Sequence, residues 1–146
     1  MKKINFFDSD NFDFHITAVS CRASFTGKYQ PFGIRSKCEL IYKIDGSSEQ
    51  YFDGVTLDVV PDSVWFIPKK SRNSQLIKED GRIIHIEFEM LTINGGAGLP
   101  PEIICFDAGN PYKKLFLSAE EVWRQKKAGY YQKTHSIVSE ILAGIA

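Results

Sequence analysis

The chain has 146 residues, 43% hydrophobic and 25% charged, which suits one domain long enough to bury a core. Lysine plus arginine number 18 and so do aspartate plus glutamate, a balance that gives no electrostatic footprint for nucleic acid. No stretch reaches the roughly 20 apolar residues of a membrane span, and acids interrupt the opening MKKINFFDSDNFDF, so no signal peptide or membrane contact is expected.

Up to about residue 107 the chain reads as short β segments separated by turns; from Asn110 onward it reads as helix. CELIYKIDG puts Leu40, Tyr42 and Ile44 on one face, with Glu39, Ile41 and Lys43 on the other, and Asp45-Gly46 as a turn. EQYFDGVTLDVV predicts a hairpin turning at Asp53-Gly54. DSVWFIP is a short apolar strand ended by Pro68, which cannot donate to a central ladder. GRIIHIEFEM sets Ile84, Ile86, Phe88 and Met90 against Ile83, His85, Glu87 and Glu89. TINGGAGLPP reads as a loop before a last short strand, EIICFD. Closely spaced strands of this kind predict an antiparallel sandwich or barrel.

The tail predicts two amphipathic helices. Asn110 caps the first and Pro111 takes its first position, Leu115, Phe116, Ala119, Val122 and Trp123 follow at helical spacing, and Gly129 stops it. The second carries Ile137, Val138, Ile141, Leu142 and Ile145 on one side. The first stripe fits the barrel's outside as well as a partner, whereas the second is expected to meet another copy of the chain. The division is therefore a β barrel over residues 1–109 and a helical segment, expected to dimerise, over residues 110–146.

Few constellations carry chemistry. His15, His85 and His135 lie far apart on different elements, His135 on an exposed helix face, so no metal centre is expected. No GxSxG or phosphate-binding loop occurs. Cys21, Cys38 and Cys105 form no CxxC and read as small core hydrophobes in a reduced compartment. Glu87 shares a strand face with Glu89, about 7 Å away, and with His85. Period two alone leaves open whether His85 and Glu87 face solvent or line an interior.

The run from Cys38 to Met90 resembles the N-terminal cupin-type domain of AraC-family transcription regulators. Leu40 to Gly46 matches the family's strand ending in a glycine turn, Pro61-Asp62-Ser63 its shortened PGD turn, and Val64 to Pro68 its apolar strand. His85 to Phe88 matches the last aromatic-rich strand, and the helical pair matches the end of the sensor domain. Asp62 replaces the usual glycine, and Asn73 stands where a histidine is frequent. The metal-binding histidines of enzymatic cupins have no counterpart.

The resemblance implies a cupin-like double-stranded β-helix, a jelly-roll barrel, followed by two α-helices. It implies a cytoplasmic, non-enzymatic sensor of a small polar effector such as a sugar, without cofactor or metal. It turns His85 and Glu87 inward and adds Gln30, Asn73 and Gln75 as ligand contacts, with Tyr42 and Trp65 as a stacking wall. Phe6 and Phe7 become an arm closing over the pocket. The helical tail, through Ile137, Val138, Ile141, Leu142 and Ile145, implies a homodimer, and DNA contact would come only through a missing C-terminal helix-turn-helix domain. The rival expectations are a metal-independent isomerase or epimerase using His85 and Glu87, and an interaction module with no small ligand.

Overall fold

A computed structural model describes residues 12–34, 36–52, 54–69, 72–93 and 111–145. Phe6 and Phe7 lie outside the described residues, as do Asn110, Cys105 and the segment EIICFD. Eight strands precede two helices: β1 Phe12–Ser24, β2 Tyr29–Ile34, β3 Cys38–Lys43, β4 Ser47–Phe52, β5 Val55–Val59, β6 Val64–Ile67, β7 Arg72–Glu79, β8 Gly81–Ile93, α1 Tyr112–Gln125 and α2 Tyr130–Ile145.

The strands form two antiparallel sheets of four, in the orders β1-β8-β3-β6 and β2-β7-β4-β5. Each sheet interleaves early strands with late ones, and that pair of Greek keys is a jelly roll. The mainly β architecture with two terminal helices is as expected.

Alternation along β3 and β8 sorts the core into two layers. Leu40, Tyr42, Ile84, Ile86 and Phe88 point away from the second sheet, and Phe116, Ala119, Val138, Ile141 and Leu142 of the helices cover them. Ile41, Trp65, Ile67 and Ile83 point the other way and meet Leu57 and Val59 of β5. Both faces of β3 are therefore covered, one by helices and one by a sheet, and every residue of β3 is buried. Trp65, Ile41 and His85 lie in one cross-strand row, so His85 shares the inter-sheet face.

The tail differs from expectation in what it covers. Val138, Ile141 and Leu142 are fully buried against the chain's own first sheet, and Ile137 packs at the edge of the same cluster. The stripe expected to meet a second copy is thus already covered; the side chain of Ile145 lies outside the described residues. Tyr131 and His135 tie α2 to β1. The Tyr131 hydroxyl accepts from the Ile16 amide at 3.2 Å, and the His135 ring stacks on Phe14 at 4.2 Å with Nε2 donating to the Phe14 carbonyl at 3.2 Å. His135 is half-buried, where an exposed position was expected.

α1 also ends earlier than Gly129. Lys126 takes the left-handed conformation at φ 52°, and its ammonium lies 3.9 Å from the Trp123 ring and 4.4 Å from the Tyr130 ring. Those cation–π contacts offset part of the cost of a non-glycine cap. Gly129, at φ 80°, serves the turn into α2 instead. Cys38 is a core residue and burial pushes its thiol pKa up. Cys21 is exposed, contrary to expectation, because it sits on β1 beyond the helices' cover.

Two turns touch at one end of the barrel. A Cβ on Gly81 would stand 2.0 Å from the Asp45 carbonyl oxygen, and one on Gly46 2.5 Å from that of Asp80. Only glycines let the β3–β4 and β7–β8 turns touch in this way.

Candidate functional site

The space between the sheets is lined by alternate residues of each strand. On the first sheet the inner rows are Ala18, Glu87, Glu39 and Ile67; then Ser20, His85, Ile41 and Trp65; then Arg22, Ile83 and Lys43. On the second, Gln75 of β7 faces Gln50 of β4 and Gln30 of β2, and Gln50 faces Leu57 of β5. A bulge in β1 between Ile16 and Ala18 places Thr17 as an extra residue and brings Ser20 and Arg22 onto the inner face.

At one end the rows carry carboxylates. His85 is 3% exposed, and its Nε2 lies 3.0 Å from Oε1 of Glu39, which is 8% exposed. A proton on Nε2 donates to that carboxylate and leaves Nδ1 of a neutral ring as an acceptor; Nδ1 has no protein partner. Glu87 accepts from the Thr17 hydroxyl at 2.7 Å and pairs with Lys37 at 3.5 Å. One donor atom from each of Glu39, His85 and Glu87 lies within 4.8 Å of the others. Among the described residues this is the cluster able to hold a divalent ion, and two carboxylates with one imidazole suit a hard or borderline cation. His15 and His135 do not join it, being at the seam between β1 and α2.

The middle of the interior holds polar atoms without protein partners. Gln50 Nε2 donates to Gln75 Oε1 at 2.7 Å, but Gln50 Oε1 has none, and neither does Trp65 Nε1. Each such atom costs about 1–3 kcal/mol unless water or a guest meets it.

The other end opens into a cavity of about 390 Å³ beside the end of β1 and the start of β2. Its walls include Arg22, Ser24, Lys28, Tyr29, Gln75 and Ile83, and the volume falls within the usual range for small-molecule sites. Lys43 lies behind it on the row of Ile83, fully covered, and burial pushes its ammonium pKa down while Asp45 and Glu79 pull it back up.

The residues expected at a ligand site divide as follows. His85 and Glu87 are brought together at the acidic end. Asn73, buried, shares the inner face of β7 with Gln75, and Gln75 alone of the group lines the described cavity. Gln30 pairs with Gln75, but its side chain lies outside the described residues. Trp65 points inward with its indole nitrogen unmet. Tyr42 does not belong there: period two places it beside Leu40 on the helix side, stacked on Phe116 at 5.3 Å, with its hydroxyl donating to Asp62. Its role is packing, and burial followed by the Asp62 bond pushes its phenol pKa up. Glu39, Arg22 and Lys28 were missed. The signal for Glu39 was its place on the polar side of β3, opposite Leu40; Arg22 was hidden by the bulge in β1.

No protein-family model matches the chain, and no curated protein does. Solved structures do. The polyketide cyclase RemF from Streptomyces resistomycificus is 15% identical with a TM-score of 0.47, over 80% of this chain and 74% of that one. A cupin superfamily protein from Desulfitobacterium hafniense is 16% identical with a TM-score of 0.46, over 55% and 79%. The Cnp3 cupin domain of Schizosaccharomyces pombe is 16% identical with a TM-score of 0.45, over 56% and 69%. These likenesses carry no argument about chemistry, and the strand order itself makes the chain a jelly-roll barrel with two C-terminal helices.

Proposed function

We propose that this chain is a small-molecule sensing domain whose guest enters the jelly roll through the cavity beside β1 and β2. The observation that carries the reading is that cavity, bordered by Gln75, with buried polar atoms of Gln50, Trp65 and His85 left unmet in the same inter-sheet space. A barrel built only as a scaffold gains by filling such positions with hydrocarbon. The motif order supports the finer assignment, the effector-binding half of an AraC-type regulator, with DNA contacts in a separate domain. A guest shifts such a regulator only by binding one of its states better than the other. Calorimetric titration of the chain with neutral sugars, small carboxylates and amines tests the reading. Saturable binding of any one, weakened by Gln75→Leu, is the expected result; no heat from any class overturns it.

A second reading has its own observation, the Glu39–His85 pair with Glu87 within 4.8 Å. In that reading the cluster performs proton transfer, one group taking a proton from a substrate carbon and another returning it. Solvent deuterium washing into a bound hydroxy acid, and failing to do so in His85→Gln, distinguishes catalysis from sensing.

A further inference from the structure

The inner face of the barrel is sorted by charge along the strands. Glu39 and Glu87 occupy one end, while Arg22, Lys28 and Lys43 occupy the other. From Ile83, on the row of Arg22 and Lys43, to Glu87 is four residues of β8, about 13 Å at a strand's rise. That separation is well beyond ion-pair contact, so the carboxylates form no salt bridge with the basic end.

Of the nearer acids, Asp45 pairs with Arg82 at 2.9 Å and acts with Glu79 on Lys43, while Asp80 is held by the Thr26 amide and hydroxyl at 2.6 Å each. Arg22 donates from Nε to Ser20 Oγ at 3.0 Å and has no acidic partner among the described residues, and neither does Lys28. Register places both on the inner face. Arg22 faces Ile83 across β1 and β8, and the Ile77 amide donates to the Lys28 carbonyl at 3.0 Å. Both line the 390 Å³ cavity, together with Ser24, Tyr29 and Gln75.

We propose that the cavity takes an anionic guest, anchored through a carboxylate or phosphate group by Arg22 and Lys28, with Ser24 and Gln75 beside it as hydrogen-bonding groups. The proposal rests on the sensing reading and narrows its ligand class away from a neutral sugar. Arg22 is the principal anchor, because a guanidinium presents paired N–H donors matched to either oxyanion, while Lys28 adds a point charge. Wild type, Arg22→Gln and Lys28→Gln are titrated calorimetrically with succinate, benzoate, inorganic phosphate and glucose, at low and high sodium chloride. Neither substitution touches the core, so unchanged circular dichroism is the control.

The expected result is saturable binding of a carboxylate or of phosphate, at least tenfold weaker in Arg22→Gln and weakened by salt; whichever of the two binds identifies the anchored group. Glucose bound with an affinity indifferent to Arg22→Gln overturns the anionic assignment and leaves sensing intact. An acid whose binding neither substitution weakens also overturns it. Silence from all four probes, where amines bind, overturns it alone; silence from every class overturns both.

Discussion

Replacing Ile141 by alanine separates two roles for α2. The side chain is fully buried among Phe116, Val138 and Leu142 within the chain itself. Removing three buried carbons forfeits about 2.4 kcal/mol at roughly 0.8 kcal/mol each, and an incompletely collapsed cavity brings the cost to about 3 kcal/mol, inside the usual range for such changes. That is a large part of a stability of about 5–15 kcal/mol, and for a chain of this size it lowers Tm by about 6–12 °C. The assay is urea unfolding followed by far-ultraviolet circular dichroism at two protein concentrations tenfold apart. Exposed Gln132→Ala on the same helix is the control and should move stability by less than about 0.5 kcal/mol. The expected result is a lowered midpoint independent of concentration. Ile141→Lys should unfold the chain outright, since an unpaired charge cannot be buried there. A wild-type midpoint that rises with concentration, together with an Ile141→Lys variant that is folded and monomeric, would refute the packing argument and return α2 to a dimer seam.

Three further outcomes follow from the same geometry. Lys43→Met should stabilise the protein at neutral pH: the native lysine's pKa is lowered by burial, so its cost is complete below that folded value, where both states are protonated. Between the folded value and the unfolded 10.5 the unfolded chain binds the extra proton, so wild-type stability rises with pH and the gap to Lys43→Met closes; a gap constant across alkaline urea titrations refutes this. Glu39→Leu should cost about 1–3 kcal/mol by stranding His85, whereas Glu39→Leu with His85→Leu should recover most of it; additive losses in the double-mutant cycle would mean the pair is not coupled. Tyr42→Phe should cost about 1.5–3 kcal/mol by losing a bond to a carboxylate, and Asp62→Gly should cost less, because glycine relieves the φ of 69°, as measured by chemical denaturation; a glycine variant that loses more than Tyr42→Phe refutes this.

The strands of the barrel were legible wherever alternation ran unbroken. CELIYK and GRIIHIEFEM divide into faces as period two requires, because both strands are central and neither is bulged over that span. Which face was inner was not legible, since helices cover one side and a second sheet the other, and both demand apolar residues. Arg22 was hidden for a different reason. Phe14 and Ile16 lie on the helix side at even positions, but after the extra residue Thr17 that side passes to Val19 and Cys21. Asp62 shows the opposite case: it stands where the resembled family has glycine, and its φ of 69° is the glycine-like conformation itself. Aspartate tolerates that region better than most residues, and here its carboxylate accepts from Tyr42. The α2 stripe misled because amphipathicity specifies that a face is covered and not by what.

A dedicated interaction module with a dry, closed barrel is the reading the interior fits least well. Where β5 and β6 meet, the inner face is packed in that way, by Leu57, Val59, Trp65, Ile41 and Ile67. Beside that packing the same face carries Gln50, Gln75 and His85, and even Trp65 turns a donor to the interior without a partner. Hydrocarbon of similar volume at Gln50 and His85 would remove about 1–3 kcal/mol of penalty per unmet atom. The packed corner already shows that this fold accommodates hydrocarbon on that surface. Polar side chains thus run through the rest of the interior, from the Glu39–His85–Glu87 end to the open cavity. The inner wall gives up stability there and keeps it in the packed corner.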